Sequence, residues 1–191
     1  PAGQQQGPAG QSVKGADIKG RAPVNKEILK VNLTKAQEAT LSNGLRVILL
    51  ENHRVPTFSM QMVFLSGGLS DPANQRGMAG FTASLLREGT QTRKSKDIAE
   101  QMDTLGATLN AGASISSFTS TVTSAGLVEN LDPTLDIFAD VIRNAKFPQE
   151  EVEKYKQRQI AQLQFQRSIP QFLAAERFQR AIYGDHPAGL I

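Results

Sequence analysis

The chain has 191 residues, a formal net charge of +3, nine Phe, two Tyr, no Trp and no Cys. Its length suffices for one domain with a sizeable core, mainly aliphatic with some Phe. The lack of Cys excludes disulfides, thiolate metal sites and cysteine nucleophiles.

No apolar run approaches the roughly 20 residues of a membrane-spanning helix, and no signal peptide is present. The chain begins at Pro1, as a processed or engineered form does. A removed secretory signal fits this and would make the protein periplasmic or secreted; nothing else in the sequence speaks to compartment. The charge is uneven. Residues 1–36 hold six basic residues against Asp17 and Glu27, net +4; the remainder holds fifteen basic and sixteen acidic, net −1. The excess therefore lies in a polar tail. There is no basic stripe with interleaved aromatics, so no nucleic-acid partner is expected.

Residues 1–20 are rich in Gly, Gln and Pro and have too few apolar groups to order by themselves. They read as a flexible leader, or as a segment that orders against a partner. Residues 21–36 gain Val24, Ile28, Leu29, Val31 and Leu33 and read as an extended arm beside a domain over 37–191. Asn43-Gly44 between apolar segments signals a hairpin joining Ala39–Ser42 to Leu45–Leu50. Phe58, Met60, Met62 and Phe64 alternate with Ser59, Gln61, Val63 and Leu65. That is a strand, amphipathic at first and buried on both faces at its end. Ser66-Gly67-Gly68 stops it, and a loop through Asp71-Pro72 leads to a helix at 78–87 with Met78, Phe81 and Leu85 on one face.

A second helix, Lys96–Leu105, turns Ile98, Met102 and Leu105 to one side. Ser95 and Asp97 are available as caps, and Gly106 ends it. Strands follow at Thr108–Ala113 and Ser116–Ala125, the latter rich in Thr and Val. A helix over Asn130–Asn144 carries Leu131, Leu135, Phe138 and Ile142 on one stripe and breaks at Phe147-Pro148. Glu150–Gln166 is a polar helix with a thin stripe at Val152, Tyr155, Ile160 and Leu163. Phe172–Tyr183 is the last helix, ending at Gly184. This order predicts an α+β fold, with helices packed on a mainly antiparallel sheet.

Five segments, in this order, resemble the insulinase/pitrilysin/mitochondrial-processing-peptidase family of inverzincin metallopeptidases. They are LSNGLRVILLEN (41–52), FLSGGLSDP (64–72), GMAGFTASLLREGT (77–90), LGATLNAGAS (105–114) and FADVIRNAKFPQEEVEK (138–154). The resemblance implies that family's fold, incomplete at the C-terminal end, because family domains continue past the last helix. It also locates a zinc site. The family's third segment carries H-x-x-E-H, two zinc-ligand histidines around a general-base Glu; a Glu ligand and a helper Glu lie on a later helix. The corresponding positions here are Gly80, Ala83 and Ser84, then Gln162 for the distal ligand and Tyr155 for the helper. Glu150, Glu151 and Glu153 come too early for that register.

The residues make the same point without the family. A catalytic zinc needs three protein ligands, usually including two His. This chain has two His in all, far apart, and neither has a His or acidic partner three or four residues on. His53 and His186 both read as solvated loop residues; for His186, in the turn before Pro187, the resemblance implies a structural hydrogen-bonding role, since the family often has a His-Pro after this helix. No catalytic residue and no bound cofactor are expected, with zinc only in a partner. Ser114–Ser124 has no His nearby for a nucleophile, and Gly67-Gly68 with Gly77 does not make a phosphate loop. Arg87-Glu88 reads as a surface salt-bridge pair.

Members of this family work as two similar halves, one bearing zinc and the other supplying wall, substrate contacts and closure. They bind peptide as an added strand on a sheet edge. The resemblance puts that edge at Thr108–Ser114 and substrate contacts at Asn110 and Ala111, although the edge could equally be structural. The expectation is a non-catalytic metallopeptidase-like subunit or domain. It pairs with a sister chain or a second copy of itself and contributes to peptide binding and chamber closure. The alternative is a structural or assembly subunit of a larger complex with no role in proteolysis.

Overall fold

The structure is a computed structural model that describes residues 35–186 and Gly189; the leader and nearly all of the arm lie outside the described residues. The described residues fall into two compact units that divide between Asn52 and His53.

In the first unit, β1 (Gln37–Thr40) pairs antiparallel with β2 (Arg46–Leu49). Asn43 Oδ1 accepts the Leu45 N–H at 3.0 Å, and Gly44 sits at φ 85°. The dipeptide makes the turn as predicted, but the connection is longer than two residues. Gly44 N–H donates to Leu41 O and Leu41 N–H to Leu45 O, each at 2.9 Å, which takes Leu41 and Leu45 out of the ladder. Glu38 and Arg46 form an exposed ion pair at 2.7 Å across the hairpin.

The second unit is built on a three-stranded antiparallel sheet of β3 (Thr57–Phe64), β4 (Thr108–Ala113) and β5 (Ser120–Leu127), in the order β3-β5-β4. Register places Met60, Ser124 and Leu109 in one row and Met62, Val122 and Ala111 in the next. Since side chains alternate across a strand, these rows share a face. Against that face pack Ile98 and Met102 of α2 (Ser95–Thr104) and Ile137, Phe138 and Val141 of α3 (Leu131–Arg143). The other face carries Gln61, Thr123 and Asn110 in one row and Val63, Thr121 and Gly112 in another, a largely polar surface. The remaining helices are α1 (Met78–Leu85), α4 (Gln149–Arg167) and α5 (Pro170–Tyr183).

Gly106 stops α2 as expected. At φ 58° it closes a double link, Gly106 N–H to Asp103 O and Ala107 N–H to Met102 O, both 3.0 Å. That geometry needs a left-handed residue, which glycine adopts without steric cost. Asp97, one of the two expected caps, accepts the Lys94 N–H at 3.0 Å; Ser95 instead donates to Glu88 at 2.7 Å.

Five expectations are corrected. The end of β3 is not buried on both faces: Val63 is 51% exposed and Leu65 89%, because the core helices cover only the Met60/Met62 side. β5 starts at Ser120 rather than Ser116. Residues 114–119 instead form a turn in which Ser117 N–H donates to Ser114 O and Thr119 N–H to Ser117 Oγ. On α1 the buried residues are Ala83 and Leu85, and Met78 is exposed. On α3 the buried stripe is Thr134, Ile137, Phe138 and Val141, with Leu135 exposed. A buried Thr hid that stripe from a reading based on apolar periodicity. Its hydroxyl is satisfied within the helix by Asn130 O at 2.7 Å. The stripe assigned to α4 also fades toward its end, where Ile160 and Leu163 are exposed.

Candidate functional site

Helix α1 begins where Asp71 reaches across from the preceding loop. Its carboxylate accepts the Gly77 N–H at 2.8 Å and the Ala79 N–H at 3.1 Å. Both are N-terminal donors with no partner inside the helix, and a negative charge is favourable at that end. The helix then runs close against β4. A Cβ on Gly80 would lie 3.1 Å from Ala113 O. Ala83 is only 5% exposed. Ser84 Oγ donates to Gly80 O and accepts from Tyr155 Oη of α4, each at 2.9 Å. The Tyr155 ring meets Phe81 edge-on, with centroids 4.8 Å apart and planes at 88°. Arg158, one turn along α4, lies 5.7 Å from the same ring.

The structure thus brings Gly80, Ala83, Ser84 and Tyr155 to one junction between two helices 71 residues apart in sequence. Gln162 lies about two turns beyond Tyr155, exposed and without a hydrogen bond among the described residues. These residues do not fit a zinc ion. The junction offers two neutral hydroxyls already bonded to each other, a missing side chain and a buried methyl, whereas zinc takes imidazole, thiolate or carboxylate. The nearby carboxylates are engaged elsewhere: Glu150 and Glu151 pair with Lys154 at 2.7 and 3.0 Å, and Glu153 accepts from Gln149 at 3.0 Å.

What ties α1 to α4 is the hydroxyl pair together with the aromatic contact. Tyr155→Phe keeps the ring contact and removes only the hydroxyl, so it is expected to cost about 1 kcal/mol of stability. Ser84→Ala should cost a similar amount. Urea unfolding of both singles and the double should show a coupling of roughly 0.5–1.5 kcal/mol; strict additivity would mean the bond contributes nothing.

Strand β4 pairs only with β5 among the described residues, so its other side is an edge with no strand beyond it. In an antiparallel ladder alternate residues turn their N–H and C=O outward. Leu109, Ala111 and Ala113 share one phase, and two contacts place it on that edge. Arg87 Nη1 donates to Leu109 O at 2.7 Å, and Ala113 O faces Gly80. The two expected peptide contacts point apart. Asn110 is exposed on the polar face, and Ala111 is partly buried against the core. Only the Ala111 main chain lies on the edge itself. Arg87 and Glu88 also depart from expectation: neither forms an ion pair among the described residues. Arg87 takes the Leu109 carbonyl and Glu88 the Ser95 hydroxyl. A lone Arg two residues before Gly89-Thr90 carries no periodicity, so no sequence signal pointed to this contact.

The Gly89-Thr90 close of the α1 segment anchors a second polar cluster. Asp140, 8% exposed, accepts from Arg93 at 2.6 Å, Thr90 at 2.7 Å, Asn144 at 2.8 Å and Thr92 at 3.2 Å. Burial alone would raise its pKa. The bonds from Asn144, Thr90 and Arg93, and the Arg93 charge, outweigh that and hold it at about 2.

An antiparallel sheet faced by helices, with α1 beside its edge strand, defines an α+β class. The sequence model of the insulinase family, peptidase family M16, matches residues 46–190, and the chain belongs to that family. An uncharacterised zinc protease of Rickettsia felis is 30% identical over 150 residues, 78% of this chain and 36% of that protein. A probable mitochondrial-processing peptidase subunit beta of Arabidopsis thaliana is 28% identical over 115 residues, 60% of this chain and 21% of that one. Among solved structures, a peptidase M16 inactive domain from Pseudomonas fluorescens superimposes with a TM-score of 0.75 at 26% identity, over 82% of this chain and 38% of that one. Pitrilysin superimposes with a TM-score of 0.68 at 21% identity, over 85% of this chain and 17% of its own. The chain spans little more than a third of the length of the zinc-protease relative.

Proposed function

We propose that this chain is a non-catalytic peptidase-like subunit or domain that pairs with a zinc-bearing partner and contributes to peptide binding and closure of the chamber. One observation carries this reading. Where the resemblance implies a zinc ligand and a helper carboxylate, Ser84 and Tyr155 are bonded to each other at 2.9 Å beside a Gly and a buried Ala. No group there can bind zinc or take a proton from a zinc-bound water. The likeness to a solved inactive domain of the same family supports it. The outer β4 edge supports peptide binding by strand addition, in which main-chain bonds supply affinity. The exposed Phe165, Phe178 and Ile182 on α4 and α5 support pairing, because large exposed apolar side chains mark contact surfaces.

The test is a paired one. Zinc content of the purified chain is expected to be far below one per chain after zinc exposure, and hydrolysis of unstructured peptides undetectable. Activity should appear only with an H-x-x-E-H partner. Chelator-sensitive cleavage by this chain alone would overturn the reading.

A further inference from the structure

The outer edge of β4 is already partly occupied, and by a cation. Arg87 donates one of its five N–H groups to Leu109 O at 2.7 Å. The residue is exposed and pairs with no carboxylate among the described residues. It borders a cavity of about 330 Å³ between α2 and the start of β4, lined by Ser95, Ala99 and Met102 on one side and Thr108 and Asn110 on the other. The other charges on that cavity are Glu88, held by the Ser95 hydroxyl at 2.7 Å, and Asp103 on α2.

We propose that this edge selects extended peptides bearing an acidic side chain, with Arg87 as the residue that reads it. The inference rests on the peptide-binding part of the proposed function. An added strand donates an N–H to Leu109 O and so competes with the guanidinium for the one acceptor that the Arg87 side chain has among the described residues. A peptide carboxylate on the same side of the added strand takes up the freed fork as a charge-assisted, bidentate pair. A neutral peptide brings the freed guanidinium no charge, and a basic one places two cations together. Glu88 is held by the Ser95 hydroxyl, and Asp103 makes no ion pair with Arg87 among the described residues.

The experiment measures binding of three labelled peptides to the full chain by fluorescence anisotropy. The peptides are alternating Ala/Val eight-residue segments that differ only in a central Glu, Gln or Lys. The expected order is Glu, Gln, Lys, with Glu tighter than Gln by roughly threefold to tenfold and the gap narrowing as salt rises. Arg87→Gln keeps a donor for Leu109 O but no charge. It should reduce the Glu/Gln ratio to about one.

Equal wild-type affinity for Glu and Gln peptides, preference for Lys, or a Glu/Gln ratio that survives in R87Q would overturn the selectivity and leave edge binding standing. If no peptide binds the folded protein, edge binding falls and the inference with it. If R87Q does not fold by circular dichroism, the wild-type order and its salt dependence decide.

Discussion

Asp140→Ala is expected to lower the unfolding free energy by about 3–5 kcal/mol, the range found when one partner of a buried ion pair is removed. Asp140 receives four side-chain hydrogen bonds, and its loss strands Arg93, Thr90 and Asn144 together. Arg93 keeps only exposed partners, Asp136 at 2.6 Å and Gln101 at 3.2 Å. The cluster joins α3 to the segment between α1 and α2, so its loss loosens the seat of α1 as well. The same residue sets an acid limit. Its folded pKa of about 2 lies below its ordinary value of 3.8. A depressed carboxylate contributes fully above its unfolded pKa and loses that contribution as pH falls through its folded one. About 2 kcal/mol of stability should therefore disappear between roughly pH 4 and pH 2. Urea unfolding at several pH values would show this slope in the wild type. Asp140→Asn should flatten it, and an unchanged slope would remove Asp140 as its cause.

Gly68→Ala is the second large effect, expected to cost about 3 kcal/mol through overpacking. A Cβ there would lie 2.4 Å from Ile115 Cα and 2.6 Å from Ser114 O; at Gly67 it would lie 2.4 Å from Ser117 O. These are main-chain atoms that cannot swing aside. Gly68 also donates its own N–H to Ser114 O at 3.2 Å. The substitution should push out the 114–119 turn, and limited proteolysis there should speed up alongside the loss of stability. Gly112→Ala is the matched control. Nothing lies within 4 Å of its Cβ position, so a change within about 0.5 kcal/mol is expected. Equal effects at the two glycines would reject close backbone packing as the reason for Gly67-Gly68.

Much of the fold is legible in the residues. The expected strand Thr108–Ala113 matches the observed one residue for residue, its start marked by the preceding Gly106. Less was legible of which helix face is buried. Periodicity ranks residues by apolarity, and in α3 a Thr that satisfies its own hydroxyl took an inward position while Leu135 turned out. In α1 the decisive residue has no side chain at all: Gly80 permits the approach to Ala113, which turns Ala83 and Leu85 inward. The candidate site divides in the same way. That no His or carboxylate occupies positions 80, 83, 84, 155 and 162 is plain from the residues. That Ser84 and Tyr155 bond to each other, and that Gln162 stands apart from them, follows only from how α4 crosses α1.

The sequence by itself determined the family, the run of strands and helices and the lack of zinc-binding side chains, because each rests on residue type and local spacing. Tertiary structure alone decided that the two hydroxyls meet and that the β4 edge is held by Arg87. Those depend on elements brought together across 71 and 22 residues, a distance over which spacing carries no information.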